Sequence, residues 1–184
     1  GGYVVSRKRM LQDIKIFKQF NLNAVRTCHY PDDEYWYDLC DEYGLYVTAE
    51  ANLESHGMGY GEESLAKHSL YQKTHIERNE RNVQRNFNHP SVVVWSLGNE
   101  AGMGQNFKDA YNLVKKMDPS RPVQYERALY EDFDIEGEGY SDIACPMYAD
   151  YDYTENYGKN AKATRPLIQC EYAHAMGNSI GGFK

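Results

Sequence analysis

Two glutamates stand directly behind short apolar runs, a placement suited to acid–base chemistry. The run 92–97 leads through Gly98 and Asn99 to Glu100, and the run 167–170 leads to Glu171. Strands that are buried on both faces have near-continuous apolar sequences. The two runs are therefore predicted to be strands, with each glutamate at the carboxyl end of one of them. Two carboxylates that face one cleft are equipped to cleave a glycosidic bond. A separation of about 5 Å makes one of them the nucleophile of a retaining reaction.

A second constellation, Glu54-Ser55-His56, has the spacing of a shared ligand site. In an extended segment, residues two apart point to the same side, so Glu54 and His56 can face one ion. A carboxylate-rich site with one imidazole suits magnesium or manganese better than zinc. From the residues alone, Glu54 and His56 could equally form an ordinary hydrogen-bonded pair without a metal ion. Glu171-x-x-His174 would fit half of a di-iron motif, which requires a second such pair that the sequence lacks.

Further polar side chains hold the same position relative to other apolar runs. Arg26 and His29 come at the end of the first run, Tyr148 follows the fifth, and Asn99 and His174 lie close to the two glutamates. The carboxyl ends of parallel strands converge on the active site in (β/α)₈ barrels. We therefore expect all of these side chains in one cleft.

The elements that must position these residues alternate along the chain. Helix patterns start at Ser6 and near residue 34, and cover about 71–87 and 107–117, while six short strand candidates start near residues 22, 45, 91, 123, 142 and 167. This alternation predicts an α/β fold with parallel strands and outer helices. The stretch 149–163 lacks periodicity and is predicted to be a surface loop.

The composition argues against nucleic acids and membranes as binding partners. The net charge of −7 makes a nucleic-acid partner unfavourable, because an acidic surface repels phosphates. No apolar run approaches the roughly 18 residues of a membrane span, so no membrane partner is expected. The four cysteines show no Cys-x-x-Cys spacing and are predicted to be buried free thiols.

Six segments closely resemble, in order, the catalytic barrel of the large bacterial β-galactosidases of glycoside hydrolase family 2. They are residues 23–31, 50–58, 89–100, 118–126, 145–149 and 170–179. The resemblance implies a TIM (β/α)₈ barrel that hydrolyses terminal non-reducing β-D-galactose residues with retention of configuration. The implied substrate is a small or oligosaccharide β-galactoside.

The resemblance also implies roles for individual residues. Glu171 resembles the nucleophile and Glu100 the general acid/base. Glu54, His56 and Glu100 resemble the protein ligands of an active-site Mg²⁺, for which Mn²⁺ is an alternative. Arg26 resembles the residue that orients the nucleophile. The positions implied to bind the sugar are His29, Asn99, Tyr148 and His174.

The chain is expected to be most of a barrel within a larger protein. A (β/α)₈ barrel has eight strands and about 250 residues, whereas this chain has 184 residues and six strand candidates. We therefore expect residues 1–184 to form one domain, with the first barrel strand before Gly1 and the last after Lys184. The resemblance further implies a homo-oligomeric bacterial parent enzyme, in the cytoplasm or the periplasm, whose Na⁺ ligands lie outside this chain.

Three alternatives stay open at this point. The relatives that cleave β-glucuronides share both glutamates, although they are not expected to carry the Glu54-Ser55-His56 segment. A barrel without two of its strands would leave open sheet edges and an incomplete site, which favours an inert sugar-binding fragment. A metal hydrolase built on Glu54, His56 and other histidines is the third alternative.

Overall fold

Four parallel strands form the centre of the fold. The computed structural model describes residues 4–130 and 140–179. The strands lie side by side in chain order as β1 (Ala24–Arg26), β2 (Tyr46–Glu50), β3 (Val92–Ser96) and β4 (Val123–Gln124). Because every pairing is parallel, the carboxyl ends of all four strands meet at one edge.

Helices connect the strands. They are α1 (Arg7–Gln19), α2 (Glu34–Tyr43), α3 (Gln72–Asn86), α4 (Gln105–Met117), α5 (Arg127–Tyr130) and α6 (Tyr151–Lys159), with two 3₁₀ turns at His56–Met58 and Ser69–Tyr71. Local signals explain several boundaries. The side chain of Ser6 accepts the Arg9 N–H at the start of α1. Gly44 ends α2 with a φ of 69°, a left-handed conformation that glycine adopts without strain.

The core lies between the sheet and helices α1 to α4. Ile14, Tyr37, Val83 and Phe107 each come from a different helix and are almost completely buried in one core cluster with Trp95 of β3. Burying one large apolar side chain contributes about 1.5–3 kcal/mol. This packing makes the strands a rigid support for the side chains at their carboxyl ends.

The fifth and sixth predicted strands are reduced to isolated parallel bridges. Ala144 pairs with Leu167, and Met147 pairs with Glu171. The Tyr148 N–H donates to the Glu171 carbonyl oxygen at 2.7 Å. The predicted strand order is therefore kept, and Tyr148 and Glu171 are brought side by side.

The prediction of a surface loop over 149–163 is wrong, because this stretch contains α6. Asp150 caps the helix by accepting the Tyr153 N–H at 2.7 Å. Tyr157 is the buried residue of the helix, packed with Ala144 and Leu167. A single buried residue leaves no apolar stripe in the sequence, which is why the periodicity did not indicate a helix.

The cysteine prediction is correct in part. All four cysteines are free. Cys40 and Cys145 are buried, Cys170 is partly buried and Cys28 is exposed. Within residues 4–130 and 140–179, no helix is long and apolar enough to cross a membrane.

Candidate active site

Arg26, the last residue of β1, lies at the centre of a hydrogen-bonded network. Its side chain is only 8% exposed. Nη1 donates to Glu171 Oε1 and to the Cys170 carbonyl, each at 3.1 Å. Nε lies 2.6 Å from Glu50 Oε2, and Nη2 lies 2.6 Å from Asn99 Oδ1. One planar guanidinium therefore sets the relative positions of side chains from the end of β2, the segment after β3 and the bridge at residue 171.

Glu50 is the buried counter-charge of this network. Its side chain is 0% exposed, and it accepts hydrogen bonds from Arg26, from Ser96 Oγ at 2.7 Å and, through Oε1, from His29 Nδ1 at 2.8 Å. A buried charge is tolerated when it is paired and hydrogen-bonded in this way. The sequence placed Glu50 among the polar residues at the end of the second predicted strand, but gave it no role in the site.

The ion pairs with Glu50 shift the pKa values of Arg26 and His29. Burial alone would lower the pKa of Arg26, but the charge of Glu50 and the hydrogen bond to it outweigh burial, so the pKa is raised. The hydrogen bond to Glu50 is also the main cause of a raised pKa at His29, against the opposing effect of burial. Both shifts favour the charged forms beside Glu171.

Glu171 is held from both sides. Arg26 donates to Oε1, and the Tyr148 hydroxyl donates to Oε2. This hydrogen bond, followed by burial, raises the pKa of Tyr148, so the phenol keeps its proton. His29 Nε2 lies 3.9 Å from Glu171 Oε1. The ring of His174 stands edge-on to that of Tyr148, with centroids 5.1 Å apart.

Glu54, His56 and Glu100 form a second cluster. His56 Nδ1 lies 3.3 Å from Glu54 Oε1 and 3.2 Å from Glu100 Oε2, and one potential ligand atom from each residue falls within 4.8 Å of the others. Two carboxylates and one imidazole are a donor set that a hard divalent cation accepts. All three side chains are partly exposed, at 35%, 54% and 26%, which leaves room for the waters that Mg²⁺ retains.

Asn99 joins the two clusters through both ends of its amide. Its Oδ1 accepts from Arg26, and its Nδ2 donates to Glu54 Oε1 at 3.2 Å. The amide therefore fixes the distance between the network around Glu171 and the cluster around Glu100. Every residue that the sequence predicted for the site lies in these two clusters or against Tyr148.

Glu126 is a second buried carboxylate that sequence reasoning did not assign. It lies two residues beyond β4 and is 2% exposed, and its Oε1 accepts the Glu100 N–H at 2.6 Å. Burial raises the pKa of Glu126 to about 7. The signal that could have identified Glu126 is again its place behind a strand.

The chain is similar in sequence to known glycoside hydrolases. The sequence profile described as "Glycosyl hydrolases family 2, TIM barrel domain" matches residues 1–184. The β-galactosidase of Lactococcus lactis is 49% identical over 99% of the chain, and that of Vibrio cholerae is 45% identical over 99%. The chain spans 19% and 18% of the lengths of these relatives, respectively.

Solved structures share the fold at lower identity. The Bifidobacterium dentium β-glucuronidase complexed with coumarin-3-O-glucuronide has a TM-score of 0.71 at 23% identity, covering 97% of this chain and 32% of that one. The apo β-glucuronidase of Ruminococcus gnavus has a TM-score of 0.69 at 22% identity, covering 92% and 32%. With the profile match over the whole chain and the strand-end clusters described above, the chain belongs to glycosyl hydrolase family 2 and is part of the TIM barrel domain of that family.

Proposed function

We propose that this chain carries the active site of a retaining β-galactosidase, with Glu171 as nucleophile and Glu100 as general acid/base. The observation that carries the proposal is the Arg26–Asn99 connection, which ties the Glu171 network to the Glu100 cluster at one edge of the sheet. The 45–49% identity to relatives named β-galactosidase supports galactose as the sugar.

The proposed reaction uses the two glutamates in turn. Glu171, oriented by Arg26 and Tyr148, attacks the anomeric carbon, and the bond to the leaving oxygen breaks as Glu100 gives that oxygen a proton. Glu100 then removes a proton from water, which attacks the galactosyl–Glu171 ester and releases galactose. In this proposal His29, Asn99, Tyr148 and His174 donate to or accept from the sugar hydroxyls.

We infer that Mg²⁺, or Mn²⁺ in its place, would be held by Glu54, His56 and Glu100. The ion would supply positive charge that offsets the repulsion between the two carboxylates. Without a cation, His56 carries one proton at most on Nδ1 and cannot donate to both carboxylates at once. Asn99 contributes by donating to Glu54 Oε1, the same oxygen that lies 3.3 Å from His56 Nδ1.

A β-glucuronidase is the alternative within the same family. The β-glucuronidases of known structure are 20–24% identical to this chain. Identity at that level supports a shared fold but not a shared substrate. The Glu54–His56–Glu100 cluster favours the galactosidase, because the relatives that cleave β-glucuronides are not expected to carry the Glu54-Ser55-His56 segment.

The test is hydrolysis of matched nitrophenyl glycosides by the complete gene product. We expect turnover of the β-galactoside and at least about 100-fold lower kcat/KM on the β-glucuronide, because an unpaired buried charge costs several kcal/mol. Glu171→Gln serves as the control for contaminating activity. The reverse preference would assign the chain to the glucuronidases, and turnover of neither glycoside would favour an inert sugar-binding barrel.

A further inference from the structure

The segment after β3 turns through an unusual backbone conformation at Glu100. The φ of Glu100 is +42°, in the left-handed region that residues with a side chain rarely adopt. Such a conformation persists only when surrounding contacts hold it. The orientation of the Glu100 carboxyl toward His56 therefore depends on what fixes its backbone.

One side of the segment is fixed by residues that follow β2. The Asn99 N–H donates to the Leu53 carbonyl at 2.7 Å, and Ser64 Oγ donates to the Ala101 carbonyl at 3.0 Å. A Cβ at Gly98 would lie 2.6 Å from the Leu53 carbonyl oxygen, so the two backbones are in close contact. These contacts fix residues 98, 99 and 101, but none of them involves the N–H of Glu100.

The other side is fixed by Tyr125 and Glu126. The Tyr125 hydroxyl donates to the Gly102 carbonyl at 2.6 Å and accepts the Ala101 N–H at 3.3 Å. Glu126 Oε1 accepts the Glu100 N–H, also at 2.6 Å. Tyr125 is stacked on Phe107, with ring centroids 4.0 Å apart, so this side rests on the core.

We propose that Glu126 is the positioning residue of Glu100: its buried side-chain oxygen accepts the Glu100 N–H and so holds the left-handed turn that aims the Glu100 carboxyl into the cleft. The inference rests on the proposed role of Glu100 as general acid/base. Arg127 Nε lies 4.0 Å from the same oxygen, which makes the N–H of Glu100 the closer contact. For this role the side chain at position 126 must offer a hydrogen-bond acceptor. It does not need a negative charge.

Two substitutions in the complete gene product separate these properties. Glu126→Met keeps the length of the side chain and removes the acceptor, whereas Glu126→Gln keeps an acceptor oxygen and removes the charge. We expect Glu126→Met to lower kcat/KM on lactose by about 10- to 100-fold, since a misplacement of about 1 Å has such an effect. Glu126→Gln should stay within about 3-fold of the wild type.

The substrate series distinguishes positioning from general loss of structure. A dinitrophenyl galactoside needs little protonation of its leaving group, so its kcat/KM in Glu126→Met should fall far less than that on lactose. Equal losses on both substrates, or a Glu126→Gln variant as impaired as Glu126→Met, would overturn the proposal.

Hydrogen exchange gives a readout that does not depend on turnover. The Glu100 amide should exchange faster in Glu126→Met and at the wild-type rate in Glu126→Gln. If the wild-type protein cleaves no galactoside, the proposed function fails while the exchange result still decides whether Glu126 holds Glu100. Unchanged exchange in Glu126→Met overturns the inference.

Discussion

Arg26 and Glu171 are 145 residues apart in the sequence, yet Nη1 of one lies 3.1 Å from Oε1 of the other. The contact joins the end of β1 to the bridge that pairs residue 147 with residue 171. Because Arg26 is anchored on the buried Glu50, the contact transfers the rigidity of the sheet to a carboxylate that is itself 22% exposed.

Replacing Arg26 by lysine tests this contact. A lysine ammonium cannot reach Glu50, Asn99 and Glu171 together, because it lacks the planar fork of the guanidinium. We expect Arg26→Lys to lower kcat/KM on a nitrophenyl galactoside about 100-fold. Arg81→Lys, in an exposed ion pair with Glu77, is the matched control and should leave kcat/KM unchanged. An Arg26→Lys enzyme of wild-type activity would show that Glu171 needs no such anchor.

The two glutamates that we propose as catalytic should respond differently to replacement by glutamine. Glu100→Gln should lower kcat/KM on lactose by about 10²- to 10⁴-fold, with a smaller loss on a nitrophenyl galactoside whose leaving group needs little protonation. Added azide, which needs no base, should rescue Glu100→Gln and give the β-galactosyl azide. Glu171→Gln should lose activity on every substrate and yield, if any product, the α-azide. The opposite pairing of products, read by NMR, would reverse the two roles.

Removal of divalent metal should lower the activity. We expect chelation to reduce kcat and added Mg²⁺ to restore it. His56→Ala should raise the Mg²⁺ concentration needed for half-maximal activity by about 10- to 100-fold, since even outer-sphere ligand partners contribute that much. His68→Ala, at an exposed histidine on the same connection between β2 and α3, is the control. Full activity after exhaustive chelation would remove the metal from the mechanism.

The pKa of His29 should depend on Glu50. In the wild-type protein the hydrogen bond to Glu50 raises this pKa above its usual 6.5. The stabilisation by protonated His29 is therefore complete below pH 6.5 and is lost as the pH rises through the folded-state pKa. Glu50→Gln should lower the pKa of His29, measured by NMR titration of the imidazole. Glu62→Gln, at a side chain 99% exposed, should leave it unchanged. A His29 pKa that is the same in Glu50→Gln would assign the shift to another group.

Gly98 should tolerate no side chain. Its φ is +156°, and a Cβ would lie 2.6 Å from the Leu53 carbonyl oxygen and 2.8 Å from Leu53 Cβ. Gly98→Ala is expected to lower the free energy of unfolding by about 1–3 kcal/mol, as overpacked positions do. Gly158→Ala, in α6 with open space around it, should instead be neutral or stabilising. Denaturant unfolding measures both, and equal stabilities would show that the backbones can separate at no cost.

The sequence alone was sufficient to predict the order of helices α1 to α4 and strands β1 to β4, and to single out Glu100 and Glu171 as candidate site residues. Their signals are local: Ser6 caps α1, Gly44 ends α2, and Glu100 and Glu171 follow apolar runs. Where an element depends on a distant partner, prediction failed. Helix α6 is stabilised by Tyr157 against Leu167, a contact that leaves no periodic pattern in its own segment.

Only the tertiary structure decided how the site is held together. Glu50 and Glu126 look like the other glutamates in the sequence, because periodicity indicates which positions are buried but not which atoms meet there. Their pairing with Arg26 and with the Glu100 N–H depends on the parallel register of the sheet, which brings strand ends from distant parts of the chain to one edge. The candidate site residues could therefore be identified from residue types and positions, whereas the residues that hold them in place could be identified only from the aligned strands.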